Sequence, residues 1–187
     1  MYNFYNIIIS IGIAILMIAC DTQNKESKDS YFPVLQGSYL GQSPPGLNPI
    51  KFAEGIISTD STDEGCSGFL LNQTVFVFQR FDESSFKNHT TFEMVLENGE
   101  WTRPKVLEFS KEYKIGDFTI APDGKTMYFE SKLEIPEIKD VNPGGNVFKI
   151  TRTENGWSKP MHLGLEVNTE YFESYPCIAN NGTLYFF

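Results

Sequence analysis

Positive charge is scarce in this 187-residue chain: 15 Lys and Arg stand against 24 Asp and Glu, for a formal net charge of -9. That balance excludes a nucleic-acid partner, whose phosphates demand a basic face. Histidine is limited to His89 and His162, which lie far apart with no Cys or carboxylate at ligand spacing, so no zinc site is expected. A Gly-x-Ser-x-Gly elbow, a His-Glu-x-x-His helix and a phosphate loop are all missing. No catalytic residue and no cofactor is therefore assigned. Asp60, Asp63 and Glu64 crowd one stretch, but their spacing matches no EF-hand-like loop and reads as a solvated acidic turn, so no metal is assigned either. Beyond residue 50 no segment carries apolar residues at a helical period, while aromatic and β-branched residues cluster in short runs. The expectation is an all-β chain.

Long hydrophobic runs are missing too, with one exception. Residues 7–19 are almost continuously apolar and end in Ala19-Cys20. At 13 residues, or 16 counted from Phe4, this run falls short of the roughly 20 that span a bilayer as a helix, and it reads as a signal-peptide core over residues 1–19. Leu16-Met17-Ile18-Ala19-Cys20 resembles the bacterial lipoprotein signal, which implies lipid attachment at Cys20 and anchoring in a membrane; Met17 and the lack of Lys or Arg before residue 7 depart from that pattern. The alternative is an ordinary cleaved signal with Cys20 incidental. Either way the mature chain is exported. Residues 21–30 are polar and cannot bury surface against their ordering entropy, so they read as a tether. Residues 31–49 hold four prolines and three glycines, and the whole of 20–50 is taken as anchor, tether and extended lead-in. The β domain is expected over 51–187.

That domain repeats itself. Asn98-Gly99-Glu100-Trp101-Thr102-Arg103-Pro104 returns as Asn155-Gly156-Trp157-Ser158-Lys159-Pro160, with the tryptophans 56 residues apart. Each is followed by a small-residue turn and an aromatic run: Asp123-Gly124 before Tyr128-Phe129, and Asn181-Gly182 before Tyr185-Phe186. Strands are expected at 67–71, 75–80, 91–96, 118–121, 126–131, 147–152 and 184–187. The Asn-Gly pairs are expected to turn third strands into fourth strands, since a type I′ turn needs positive φ at both central residues. Asp123-Gly124 and Asn181-Gly182 are expected to turn first strands into second strands. Repeats near 50 residues with several strands each point to propeller blades. Trp101 and Trp157, recurring once per repeat, read as packing between blades rather than as sugar platforms.

Trp157-Ser158-Lys159-Pro160 followed by Leu163-Gly164, Val167-Asn168-Thr169, Glu173, Pro176 and the 181–186 run is similar to the TolB-like (WD40-like) propeller repeat, as is Ala121-Pro122-Asp123-Gly124-Lys125 with Tyr128-Phe129. The lead-in Tyr39-Leu40-Gly41-Gln42 with 44–46 and 52–58 resembles exported lipoproteins bearing those repeats. The resemblance covers most of 39–187 and implies fold and compartment more than chemistry. Leu71-Asn72-Gln73-Thr74 stands where a Pro-Asp-Gly turn belongs, so a tightened or irregular first hairpin is expected there. About three four-stranded repeats are readable, too few to close a ring, and the reading is a partial β-propeller, a fragment of one with about six blades. A self-assembling partial propeller is the alternative.

Asp117 lies seven residues before Gly124 and Glu173 nine before Gly182, so in regular strands both carboxylates share a face; these are the ligand-binding candidates, weighed against a role as loop braces. The loop 132–145, longer than its counterpart 82–90, is the second place for recognition. Cys66 and Cys177 fall in different repeats and read as two buried thiols rather than a disulfide. Ser61-Thr62-Asp63-Glu64-Gly65 resembles the Asp-box of sialidases but lacks its closing aromatic and occurs once, in a chain with only three arginines. The expected function is a lipid-anchored binding or scaffold module for an envelope protein or glycan. The alternative is a glycoside or peptide hydrolase whose catalytic residues lie in further blades.

Overall fold

The computed structural model describes residues 32–82, 85–138 and 145–187, and residues Val34–Phe187 form one compact unit. The stretches expected as signal-peptide core and tether, with Cys20 between them, lie outside the described residues, as does 139–144 within the long loop. The chain is all-β and antiparallel. β1 (Asp63–Leu70), β2 (Val75–Asp82) and β3 (Ser85–Glu97) form a meander, closed by β4 (Glu100–Trp101) and β5 (Lys105–Val106), both of which pair with β3. These two short strands are one fourth strand interrupted at 102–104, where Pro104 has no N–H to donate. After a single helical turn, α1 (Phe109–Glu112), the pattern repeats: β6 (Ile115–Ile120), β7 (Thr126–Ser131), β8 (Asn146–Thr153), then β9 (Gly156–Trp157) and β10 (Met161–His162) one after the other along β8. A third hairpin, β11 (Cys177–Ile178) and β12 (Leu184–Tyr185), opens the next round.

The first strands of the three units are neighbours: β1 packs beside β6, and β6 beside β11. Gly68 of β1 makes this approach possible, since an added Cβ would meet Ile120 Cγ1 at 2.5 Å. Between the two large sheets lies the core, where Leu70, Val75 and Val77 meet Met127, Phe129, Phe148 and Ile150, all nearly inaccessible to solvent. Burying such side chains stabilises the fold by about 1.5–3 kcal/mol each, which is why the second strand of each large sheet carries an apolar stretch, at 75–78 and 127–129. The opposite face of the first sheet is covered by the lead-in. Tyr39 and Phe52 pack edge-on against Phe69, Phe52 also meets Phe76, and the Arg80 guanidinium donates to the Ile56 carbonyl. The lead-in thus belongs to the compact unit, with Leu40 only 3% exposed.

The turns follow their residues closely. Asn98 and Gly99 both have positive φ, 53° and 86°, and join β3 to β4 as a two-residue loop. In the second unit Trp157 keeps the matching cross-strand place, opposite Arg152 as Trp101 is opposite Leu96. Its Asn-Gly pair stands one residue nearer the Trp, so Gly156 is drawn into the ladder opposite Thr153 and the loop becomes 154–155. At the irregular first hairpin, Leu71, Asn72 and Gln73 take φ of 49°, 55° and 67°, three left-handed residues in succession without a glycine. β3 is longer than its composition led us to expect, because 85–90 lacks an apolar alternation yet pairs with β2 across Phe81↔His89 and Arg80↔Thr90.

Candidate functional site

Asp117 sits where the three units converge. A β-bulge between Ile115 and Phe118 breaks the alternation of β6 and turns this side chain toward both neighbours. Cys66 of β1 donates its thiol to Asp117 Oδ1 at 3.6 Å, and Ser174, just before β11, lies 3.5 Å from Asp117 Oδ2. The Ser174 hydroxyl donates at 2.6 Å to Glu130 Oε2, so one buried serine spans two carboxylates. Gly116 makes room for Glu130: a Cβ there would stand 3.2 Å from the Glu130 carboxyl carbon. Burial pushes the Cys66 thiol up, backbone hydrogen bonds opposing it and the Asp117 carboxylate adding to it.

Glu173 is not at this centre. Its carboxylate accepts from the Thr169 hydroxyl at 2.6 Å and the Thr169 N–H at 3.2 Å, and its own N–H donates to the Gly145 carbonyl at 2.6 Å. It is 4% exposed and braces the approach to β11. The same-face argument for the pair required regular strands, and neither stretch is regular. The bulge displaces Asp117, while 172–176 runs as non-strand backbone with Tyr175 at φ 51°. The serine next to Glu173 reaches Asp117 instead. Glu130 and Ser174 carry no sequence signal, since each stands alone in an aromatic or mixed run; only the packing of the segment before β11 against the second sheet brings them together.

Beside Asp117 a groove of about 880 Å³ opens between the two large sheets. One wall is Phe81, His89 and Thr91 of the first sheet. His89 Nε2 contacts the Ile115 carbonyl at 2.6 Å, and Gln79 donates to the Gly116 carbonyl at 2.8 Å, pinning the start of β6 to that wall. Thr91 is 1% exposed, and its hydroxyl has no hydrogen-bond partner among the described residues. Lys111, Lys114 and Lys132 rim the opening, all exposed, and Tyr175 stands at its mouth, 66% exposed.

The repeat residues serve the frame. Asp123 accepts from the N–H groups of Lys125 and Thr126, both at 2.8 Å, and from the Thr126 hydroxyl at 2.7 Å; Gly124, at φ 65°, completes the turn. Burial works to raise the Asp123 pKa, but those three hydrogen bonds outweigh it and hold the carboxyl below its ordinary value. Asn181 caps the third turn in the same way, accepting from Thr183 N–H at 3.0 Å before Gly182. Trp101 is buried and donates its indole N–H to the Gly37 carbonyl at 2.8 Å. Trp157 is half-buried between Phe109 and the Arg152 guanidinium, and donates to Glu93 Oε1 at 3.3 Å. Both thiols are free; Cys66 is half-buried and Cys177 exposed, because Cys177 lies on a hairpin covered on one side only. In the loop 132–145 the described part folds inward through Ile135, which is 1% exposed.

Among the described residues no cluster of His, Cys, Asp or Glu could hold a metal ion, and no helix is long and apolar enough to cross a membrane. Comparison with protein-family models, curated proteins and solved structures returned no match.

Proposed function

We propose that this chain is an exported, lipid-anchored binding module of β-propeller type that engages a glycan or protein of the cell envelope through the groove beside Asp117. Support for the propeller reading is the repeated connectivity: two sheets of the same strand order, a third hairpin beginning the same way, and first strands lying side by side. Support for export and anchoring is the apolar run ending in Ala19-Cys20 and the TolB-like character of the repeats. The observation that carries the binding reading is the meeting of Cys66, Asp117 and Ser174 at one point. In a propeller the first strands line the central channel, and ligands gather over it.

One observation favours a second reading, hydrolysis of a glycoside: Asp117 and Glu130 share Ser174, and paired carboxylates are the machinery of that reaction. Panels of envelope glycans and peptides, presented to the purified full chain and to Asp117→Asn, separate the two. Binding without turnover that the variant weakens by about tenfold supports the module. Turnover that survives purification and disappears in the variant supports the hydrolase. Binding that the variant leaves unchanged contradicts both.

A further inference from the structure

Resting on the groove reading above, we infer that its ligand is an acidic sugar, a pyranose bearing a carboxylate, rather than a neutral one. The chain as a whole is strongly acidic, yet Lys111, Lys114 and Lys132 gather at one opening. None of their ammonium groups enters an ion pair or hydrogen bond among the described residues; the same holds for Lys105, Lys125, Lys149 and Lys159, so what sets these three apart is their gathering around one opening. Three unpaired ammonium groups around one groove repel each other, and an anion between them relieves that repulsion.

The floor sets the rest of the ligand. Asp117 and Glu130 on the floor accept hydrogen bonds from ring hydroxyls. Thr91 offers a further hydroxyl on that wall with no partner of its own. Tyr175 presents an exposed ring at the mouth, suited to the apolar face of a pyranose. Lys114 and Tyr175 hold φ of 49° and 51°, left-handed values that non-glycine residues adopt at a cost, and they flank the same opening. Carboxylate to the lysines, hydroxyls to Asp117 and Thr91, and ring face to Tyr175 account for the groove's chemistry together. A neutral sugar leaves the lysines unanswered.

Calorimetric titration of the full chain in detergent with trigalacturonate, and with the same trimer reduced at its carboxyl groups, tests this. The acidic trimer is expected to bind at least about tenfold more tightly. Its affinity is expected to fall severalfold between about 50 and about 300 mM salt, while that of the reduced trimer stays level. Lys111→Ala, Lys114→Ala and Lys132→Ala combined are expected to bring the two trimers to parity. Tyr175→Ala is expected to weaken both equally. All four positions are exposed, and unchanged melting curves show that the variants fold. Equal binding of the two trimers, or binding of neither by a protein that still takes a neutral panel glycan at Asp117, overturns this inference and leaves the binding-module reading standing. Absence of any glycan or peptide binding in the panels overturns that reading itself.

Discussion

Leu71 donates its backbone N–H to the Gly124 carbonyl at 2.8 Å, tying the first turn of one sheet to the first turn of the next. Along the same seam Gly68 lies against Ile120, and these contacts hold β1 and β6 side by side. Gly68→Ala is therefore expected to destabilise by about 1–3 kcal/mol, since the new methyl must displace a packed isoleucine. Gly46→Ala, where nothing stands within 4 Å of an added Cβ and φ is ordinary, is expected to change stability by less than about 0.5 kcal/mol. Urea denaturation of the two variants checks the contrast.

The second tie between the sheets is ionic. Arg152 pairs with Glu93 at 2.9 Å, both largely buried, and Trp157 donates to the same carboxylate oxygen. Arg152→Ala strips the main partner from a shielded carboxylate and is expected to cost about 2–4 kcal/mol, more than either a surface pair or Glu93→Gln. Thermal melts of the single and double variants give the coupling.

Much of the frame was legible because it rests on local chemistry. Asn98-Gly99, Asp123-Gly124 and Asn181-Gly182 turn the chain where their side chains and glycines allow, and the aromatic runs of the two large sheets form second strands covered on both faces, while the run at 184–187 is largely exposed and pairs over two residues only. The site was only half legible. Asp117 stands out by its place before a turn, but its partners Cys66 and Ser174, and Glu130 held through Ser174, come from three other segments, brought in by packing between the sheets and by a bulge that spacing does not encode. Strand periodicity pairs Glu173 with it, and that periodicity fails where the backbone is not strand. The lead-in looked peripheral because its apolar residues are scattered, and only the exposed face of the first sheet gives them something to cover.

Asp123 makes stability depend on pH with a definite sign. Its folded pKa lies below the ordinary value, so its stabilising effect is full above the unfolded value near pH 4 and is lost as pH falls through the folded value. Asp123→Ala is expected to cost about 1 kcal/mol at pH 7 through the lost turn hydrogen bonds. The stability difference between wild type and Asp123→Asn is expected to shrink as pH falls from the unfolded value through the folded one. Denaturation at a series of pH values checks both.

The two thiols should react unequally. Cys177 is exposed, whereas Cys66 is half-buried and its pKa is raised by burial, so at neutral pH it holds less thiolate. Maleimide labelling of native protein is expected to modify Cys177 at least about tenfold faster than Cys66. Serine substituted for Asp117 removes the carboxylate beside Cys66 and is expected to narrow that gap. Peptide mass mapping over time reads both rates.

The central claim is that recognition happens where the first strands meet beside Asp117. Hydrogen–deuterium exchange of the full chain with and without trigalacturonate tests it most directly. Added protection is expected along the groove walls, at 89–91, 110–117, 130–132 and 172–176, with the turns at 98–99 and 123–124 unchanged. Protection at the remote hairpins with none along 110–117, while the sugar binds, would contradict it.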